Sequence, residues 1–337
     1  MSNILITGGT GFIGKHLVKK FLSIFQDIGL DSLTIVDNLS SHNDAISRKN
    51  ITTIVPSHKV LHFYKEDIRN KKGISNINKD REIDTCIHLA AITDAGFSIK
   101  NPNETMDINV IGTLKLLESC SSNGIKNFVF ASSAAAYGKA MRLPIRESLP
   151  LQPISPYGAS KVAGEALVTS FKNMDRIQNA VSLRFFNVYG YDQNPNYAGV
   201  ITIFARRLHR GLPPIINGDG KQTRDFISVN DVTNCIVMAV KALEQQKGQS
   251  QHTSSYFPHH VLNVATGIPT SINELARRMI EISGFDVKPI YSNETGLGEI
   301  RDSYADTKLA ERYLHFRAEQ KLESGLKEIM NNLFDEG

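Results

Sequence analysis

The amino-terminal segment at residues 4–14 reads Ile-Leu-Ile-Thr-Gly-Gly-Thr-Gly-Phe-Ile-Gly, and its pattern guides the interpretation of the rest of the chain. An apolar run at 4–6 leads into a glycine-rich turn and then into an amphipathic segment at 12–26. This pattern predicts a strand, a tight turn and a helix whose N-terminus can receive a pyrophosphate. The alternative is a plain strand-to-helix loop. The residues expected to contact a dinucleotide here are Gly8, Gly11, Phe12, Ile13 and Gly14.

Short apolar runs alternate with longer helical segments from this turn to about residue 186. Such alternation is typical of βαβ units with a parallel sheet. The expected fold class is therefore α/β, with a Rossmann-type doubly wound parallel sheet. The predicted strands lie at 4–6, 33–36, 60–63, 85–89, 128–130 and 180–184, and the predicted helices between them include 12–26, 105–122 and 157–173.

Beyond residue 186 the connections become rich in glycine and proline, with helices predicted at 198–210, 229–243 and 271–284. We therefore expect a first domain at 1–186 and a smaller C-terminal α/β lobe at 187–337, with interleaving of the two allowed. The stretch 244–260 is rich in Gln, Ser and His and predicts a solvated loop.

The composition of the 337 residues is that of an ordinary globular protein, with 41% hydrophobic and 21% charged residues. A formal net charge of +4 is too small to indicate nucleic-acid binding, but it is compatible with an anionic small molecule. Cys86, Cys120 and Cys235 have neither disulfide nor metal-ligand spacing, so buried, reduced thiols are expected and no metal. The absence of a signal-peptide pattern and of a run of ~18 apolar residues predicts a cytoplasmic protein without a membrane partner.

Asp37 follows the second predicted strand, where a carboxylate can accept hydrogen bonds from the adenosine ribose hydroxyls. A 2'-phosphate would be repelled by this carboxylate, so the cofactor expected is NAD rather than NADP. The alternative role for Asp37 is that of a loop cap.

Tyr157 and Lys161 lie four residues apart and therefore on one face of a predicted helix. A nearby ammonium group lowers the proton affinity of a phenol, so Tyr157 is a candidate general base. The spacing alone also occurs by chance. It gains weight here because Ser132 and Ser133 end the fifth predicted strand, where a hydroxyl can project over a cofactor.

Together with further motifs, these residues resemble the extended short-chain dehydrogenases/reductases, and within them the UDP-sugar 4-epimerases. The resemblance runs from residue 3 to about residue 330. The further motifs are Asp-Asn-Leu-Ser at 37–40, Glu-Asp-Ile-Arg-Asn at 66–70, His-Leu-Ala-Ala at 88–91, Asn-Val-Ile-Gly-Thr at 109–113, Leu-Arg-Phe-Phe-Asn-Val-Tyr-Gly at 183–190, and Asn-Gly-Asp-Gly at 217–220 with Thr-Arg-Asp-Phe at 223–226.

The resemblance implies a role for each matching residue. Ser133, Tyr157 and Lys161 would be catalytic, with Lys161 also on the nicotinamide ribose and Asp67 and Ile68 at the adenine. Further cofactor contacts are implied for Asn38, Ser40, Leu89, Ala90, Ala91, Asn109 and Ser132. Contacts with the nucleotide sugar are implied for Ser133, Tyr157, Asn187, Ile216, Arg224, Arg301 and Ser303. Among these, Asn187 and Arg224 would hold the diphosphate, although a strand cap and a solvated salt bridge are their alternatives.

The implied reaction is transient oxidation at C4 of the sugar by tightly held NAD, followed by reduction from the opposite face. Relatives that dehydrate or decarboxylate carry carboxylates directly after the fifth-strand hydroxyl, where this chain has Ala134 and Ala135. Chemistry at C4 alone is therefore favoured. A uronic acid or pentose 4-epimerase, a net oxidoreductase and a non-catalytic NAD-binding sensor are the alternatives.

Two departures concern the sugar and its diphosphate. Ser303 falls where some relatives carry Tyr against the C2 substituent, and its small volume predicts space for an N-acetyl group. Gly296 replaces an arginine that relatives place three residues before the acidic position occupied by Glu299, and Arg301 is the candidate substitute. The role of Asp94 is left open.

The resemblance also concerns assembly. The helices at 105–122 and 157–173 imply a homodimer through a four-helix bundle, unless they only cover the sheet.

Overall fold

The computed structural model of the chain describes residues 2–27, 29–40, 60–193, 199–245, 261–293 and 300–335. The chain forms two compact units. The first consists of Met1–Ala136, Ser155–Arg184 and Thr233–Leu262, and the second of Tyr137–Ile154, Phe185–Val232 and Asn263–Gly337.

The first unit is built on a sheet that, within the described residues, has seven strands in the order β10-β6-β5-β4-β1-β2-β3. The strands are β1 Ser2–Thr7, β2 Leu30–Asp37, β3 Leu61–Lys65, β4 Thr85–His88, β5 Asn127–Ser133, β6 Asn179–Phe185 and β10 Val261–Val264. The pairs from β5 to β3 are parallel. This is the expected Rossmann-type fold, but the prediction of six strands was wrong because it missed β10.

The helices of the first unit are α1 Phe12–Ser23, α2 Lys71–Asp80, α3 Ala95–Lys100, α4 Pro102–Met106, α5 Thr113–Ser122 and α6 Pro156–Asn173. Apolar side chains of α2, α5 and α6, among them Ile74, Leu116 and Phe171, pack with Leu5 and Phe128 of the sheet in one core. The sheet order changes direction between β1 and β4, and ligands of such folds bind at the carboxyl ends of the strands beside that point.

The helix predicted over 105–122 is interrupted. A π-helical turn, Asp107–Gly112, separates α4 from α5. Asn109 lies in this turn. Its side-chain oxygen accepts the Ile92 N–H, and its side-chain nitrogen donates to the Ile92 carbonyl oxygen. Side-chain periodicity does not reveal such a turn, because these bonds form with a distant part of the chain.

The second unit has its own sheets and core. Strand β9 Thr223–Ser228 pairs with β7 Asn187–Tyr189 and β13 Asp302–Ser303 in parallel and with β11 Pro269–Ser271 in the antiparallel sense. A separate parallel pair joins β8 Ile215–Asn217 to β12 Ile290–Ser292. The helices that supply its core are α7 Val200–His209, α9 Ile272–Ser283 and α11 Leu322–Asp335, beside the shorter α10 Lys308–Leu314.

The predicted boundary at 186/187 lies close to one point where the chain changes unit, but two segments differ from the prediction. Residues 137–154 belong to the second unit, and residues 233–262 belong to the first because β10 extends the first sheet. Helix α8 Val229–Gln245 includes the first two residues of the predicted loop at 244–260, and the rest of that stretch lies outside the described residues. The three cysteines are free and buried, as expected. None of the described helices is long and apolar enough to cross a membrane.

Candidate active site

The glycine turn after β1 has the backbone that a phosphate site requires. Gly8 has φ +72°, and a Cβ there would lie 2.6 Å from the nitrogen of Ala90, so the turn packs directly on the segment after β4. The Gly11 N–H donates to Gly8 O at 3.1 Å, and α1 begins one residue later. In the described residues no side chain caps the N-terminus of α1, so its first N–H groups can receive an anion.

Asp37 has the loop-capping role considered for it, and its ribose contact stays a prediction. Its Oδ2 accepts the Thr10 N–H at 3.1 Å and its Oδ1 accepts the Leu39 N–H at 2.9 Å, which joins the glycine turn to the end of β2. Each carboxylate oxygen has two lone pairs, so acceptor capacity remains for the two hydroxyls of a ribose. The residues of this turn therefore fit NAD.

The Asp67 carboxylate, an expected adenine contact, already accepts four hydrogen bonds from protein groups. It accepts from the backbone N–H and both Nε and Nη2 of Arg69, and from Asn38 Nδ2 at 3.0 Å. These bonds, those from Arg69 foremost, lower the pKa of Asp67 to about 2. With its lone pairs engaged, Asp67 can meet an adenine only by sharing an oxygen. Ser40 belongs to the same group, because its N–H donates to Asn38 Oδ1.

The side chain of Asn109 is hydrogen-bonded to protein groups on both its oxygen and its nitrogen. Asn109 accepts from Ile92 N and donates to Ile92 O and to Ser160 Oγ, so both of its amide hydrogens bind protein atoms. The expected contact between Asn109 and NAD stays a prediction, with both amide hydrogens already engaged in the protein alone. Leu89, Ala90 and Ala91, which precede Ile92, are half-buried.

His88 is a buried strand residue, as predicted. Thr113 donates its hydroxyl hydrogen to Asn109 O, so it accepts from His88 Nε2, and His88 Nδ1 accepts from Thr7. Burial lowers the pKa of His88 to about 3, with a smaller contribution from Lys161. The imidazole is therefore neutral and fixed between β1 and α5.

Asp94, whose role the sequence left open, caps α3 and accepts from Phe97 N at 2.5 Å.

Ser133, Tyr157 and Lys161 come together at the carboxyl end of β5. Tyr157 is half-buried and lies beside Ser133, whose Oγ accepts the Ala135 N–H at 3.1 Å. Lys161 Nζ donates to Ala131 O at 2.8 Å and lies 5.8 Å from the centroid of the Tyr157 ring. The hydroxyl, the phenol and the ammonium group expected from the sequence thus form one cluster.

The protonation of this cluster differs from the expectation. Burial raises the pKa of Tyr157, and the hydrogen bond from Ser133 opposes that rise. Burial also lowers the pKa of Lys161 to about 8, opposed by the charge of Glu165. Lys161 therefore does not depress the pKa of Tyr157 below its ordinary value in the protein alone, because the desolvation of the phenol is the larger effect.

Glu165 and Arg184 were missed by the sequence interpretation. Arg184 binds the carboxylate of Glu165 through Nε at 2.8 Å and Nη2 at 2.6 Å, and Ser132 donates its hydroxyl to the same carboxylate. The Ser132 hydroxyl is therefore engaged by Glu165, and the expected cofactor contact of Ser132 stays a prediction for its backbone. An arginine within an apolar strand and a glutamate one turn beyond Lys161 were the available signals.

In the second unit, β9 gathers the residues expected to bind the nucleotide sugar. Arg224 lies on β9 and pairs in register with Ser303 of β13, while Asn187 of β7 donates to Asp225 O at 3.1 Å. The buried Asp225 carboxylate, also missed from the sequence, accepts from Thr266, Gly267 and Ala305. Four donors on one carboxylate hold the neighbours of Arg224 and Ser303 in place.

The remaining expected contacts are less direct. Ile216 has a fully buried side chain, so only its backbone can meet a base. Arg301 binds Asp219 through both Nη atoms, at 2.8 and 2.9 Å, so it would have to leave Asp219 to act as the substitute diphosphate cation. Gly296 and Glu299 lie outside the described residues.

A Rossmann-type sheet, a phosphate-receiving glycine turn and a Ser–Tyr–Lys cluster define an enzyme that works with a nicotinamide dinucleotide. Comparison with known proteins specifies the class further. Residues 4–253 match the NAD dependent epimerase/dehydratase family, and the chain belongs to that family. Its cofactor is NAD.

The relatives resemble the chain over nearly its whole length. A UDP-glucose 4-epimerase homologue of Methanocaldococcus jannaschii is 37% identical over 330 residues, 97% of each chain. The crystal structure of the Thermotoga maritima UDP-glucose 4-epimerase with UDP-glucose has a TM-score of 0.84 at 31% identity, covering 99% of this chain and 98% of the other. The Methanobrevibacter ruminantium UDP-N-acetylglucosamine 4-epimerase, in complex with UDP-N-acetylmuramic acid, also has a TM-score of 0.84, at 30% identity and with coverage of 100% and 99%.

Proposed function

We propose that the protein is an NAD-dependent nucleotide-sugar 4-epimerase, an isomerase that inverts C4 of UDP-linked sugars. The observation that carries the proposal is the cluster of Ser133, Tyr157 and Lys161 at the end of β5, in a chain of the epimerase/dehydratase family. Ala134 and Ala135 follow Ser133 in a short 3₁₀ turn, and neither supplies an acid or base for elimination. The chemistry is therefore confined to C4.

NAD, held at the glycine turn after β1, would supply the hydride acceptor for C4 and the hydride donor for the return step. Tyr157 takes the proton of the 4-hydroxyl during oxidation and gives it back during reduction, so the cycle has no net proton or redox change. Ser133 can donate its hydroxyl hydrogen to the oxygen at C4 once that oxygen is a carbonyl. Lys161 stabilises the phenolate form of Tyr157 by its positive charge.

Inversion requires the sugar to turn while the nucleotide stays bound. Asn187 and Arg224 are proposed to hold the diphosphate, a task for which a guanidinium group is well suited. The Asp225 carboxylate, next to Arg224 in the chain, binds three backbone N–H groups and one hydroxyl, which fixes the strand that carries Arg224.

We further propose that both UDP-glucose/UDP-galactose and the corresponding N-acetylated pair are substrates. The support comes from Ser303, whose small side chain lies beside Arg224 in the sheet register. Related enzymes act on each kind of sugar, as the names of the two solved epimerases state.

The test is incubation of the purified protein with each of the four UDP-sugars, without added nicotinamide cofactor, and NMR of the products. We expect C4 epimers in every case, no accumulated NADH, and NAD(H) in the supernatant of the denatured protein. Strict dependence on added NADP+, or a net oxidised product, would contradict the proposal.

The proposal includes a homodimer formed by α5 and α6 with the same helices of a second copy, as a four-helix bundle. Exposed apolar side chains at the ends of this pair support it. Ile111, just before α5, is 41% exposed, and Met174, just after α6, is 53% exposed.

A further inference from the structure

Three side chains spaced four residues apart on α6, Tyr157, Lys161 and Glu165, meet the carboxyl end of β5. Lys161 donates to Ala131 O at 2.8 Å and Glu165 accepts from the Ser132 hydroxyl, while Tyr157 lies beside Ser133. Residues four apart lie on the same helix face, so these contacts act together. Tyr157 and Lys161 have roles in the proposed reaction, whereas Glu165 has none so far.

Glu165 is a buried carboxylate with a complete set of partners. It is 5% exposed, and Arg184 of β6 and Ser132 of β5 are 3% exposed. Arg184 approaches both carboxylate oxygens, in the paired geometry that gives strong, directional hydrogen bonds. Glu165 therefore connects α6 to two strands at the level of the reacting groups.

The helix has little freedom to shift relative to β5. A Cβ on Gly164 would lie 2.4 Å from the Phe130 ring, so the backbone of α6 is as close to the strand as glycine allows. Lys161 Nζ lies 5.1 Å from the centroid of the same ring. With the helix in direct contact with the strand, the side-chain bonds of Glu165 determine its register along β5.

Among the described titratable groups around Lys161, Glu165 is the one whose negative charge acts on the lysine. His88 on β4 is neutral because its pKa is lowered to about 3, and Tyr157 on α6 is protonated because its pKa is raised. Arg184 on β6 lies behind Glu165 and binds it. The charge of Glu165 opposes the effect of burial on the pKa of Lys161, which is about 8.

We propose that Glu165 is a positioning residue: held by Arg184 and Ser132, its carboxylate sets the register of α6 on β5 and balances the buried charge of Lys161. The inference rests on the proposed function, because Lys161 and Tyr157 carry out that reaction. Glu165 affects the reaction indirectly, through the position and charge of Lys161 and the position of Tyr157.

The sharpest variant removes both charges of the ion pair while keeping its shape. Glu165→Gln alone would leave Arg184 buried and unpaired, which is strongly destabilising, whereas replacing both partners of a buried pair is often tolerated. In the double variant Glu165→Gln/Arg184→Met, the introduced amide keeps an oxygen for the Ser132 hydroxyl. The matched control is Glu118→Gln, which removes a partly exposed carboxylate paired with Lys71.

The expected result is a shift in pH dependence. Glu165 is the charged group that acts on the pKa of Lys161, so its loss lowers that pKa, and the simultaneous loss of the Arg184 charge offsets part of the fall. The ammonium form is then lost at lower pH, and the alkaline limb of kcat moves down by up to about one pH unit. Above both pKa values kcat falls by up to about tenfold relative to the parent. At pH 6 the two kcat values should agree within a few-fold, and KM for the UDP-sugar should stay within about twofold. Glu118→Gln should keep the parent profile.

A second readout does not depend on turnover. In protein labelled with ¹⁵N at lysine, the Lys161 Nζ signal is assigned by its loss in Lys161→Met, and its titration midpoint should fall in the double variant. A folded double variant with the parent midpoint and parent pH profile would overturn the inference. A parent protein without 4-epimerase activity would instead refute the proposed function, and the NMR titration would still test the link between Glu165 and Lys161.

Discussion

Tyr157 is the residue whose protonation the proposed chemistry uses, and the protein alone favours its protonated form. Burial raises the pKa of the phenol, so the phenolate needs positive charge nearby. Lys161 supplies one such charge at 5.8 Å from the ring centroid, and the oxidised nicotinamide ring of NAD+ would supply another in the proposed reaction. Base strength at Tyr157 should therefore depend on the oxidised cofactor, which restricts proton removal to the state able to accept the hydrogen of C4.

For Tyr157→Phe we expect loss of roughly 10²- to 10⁴-fold in kcat, because only the phenolic oxygen is removed and with it acid–base catalysis. Folding and NAD content should be preserved, since the phenylalanine ring still fills the half-buried position. Steady-state kinetics, with NAD released by denaturation as the control, measure both. Near-parent rates would show that another group moves the proton.

At Ser303, volume rather than charge is the property that matters. We expect Ser303→Tyr to abolish turnover of the N-acetylated UDP-sugars while leaving UDP-glucose and UDP-galactose as substrates, because a clash excludes the larger C2 group. The control is Ser303→Ala, which removes the hydroxyl without adding volume and should keep all four substrates. Kinetics on the four sugars measure the effect, and equal loss for both pairs in Ser303→Tyr would show that Ser303 does not face C2.

At the scale of elements, the first six strands were predictable, whereas the later strands and the details of the helices were not. Apolar runs bounded by turn residues identify β1 to β6, since buried parallel strands need few polar residues. The π-helical turn, Asp107–Gly112, escaped because its cause is the bonding of Asn109 to Ile92 and Ser160, far away in sequence. The same holds for the ion pair of Glu165 and Arg184, which only the packing of α6 on β6 reveals.

The contact between α6 and β5 leads to a prediction about packing. Gly164→Ala places a methyl group against the Phe130 ring, so we expect a loss of about 1–3 kcal/mol in the free energy of unfolding and a fall in kcat as α6 is displaced. Chemical denaturation and kinetics measure the two effects. Ala166→Ser, on an exposed position of the same helix, should change stability by less than about 0.5 kcal/mol. Unchanged stability in Gly164→Ala would mean that Phe130 turns aside without cost.

At the scale of the whole molecule, the sequence indicated two parts but not the assignment of every segment to them. The change in composition after residue 186 marks one transition, which is close to the end of Ser155–Arg184. Strand β10 was not recognised, because a strand of four residues, Val261–Val264, that follows a polar stretch has too short a pattern to stand out. Its pairing with β6 assigns the preceding segment to the first unit.

The last prediction concerns assembly. If α5 and α6 form a four-helix bundle with a second copy, the exposed Ile111 becomes buried there, and a charge at this position would be costly to desolvate. We expect light scattering at micromolar concentration to give twice the chain mass for the parent, and Ile111→Glu to shift the protein towards monomer. Met238→Glu is the control, because Met238 is similarly exposed on α8, outside the predicted bundle. A parent of monomeric mass would mean that both helices only cover the sheet, and Ile111 would then be an isolated exposed apolar side chain of the kind that most soluble proteins tolerate.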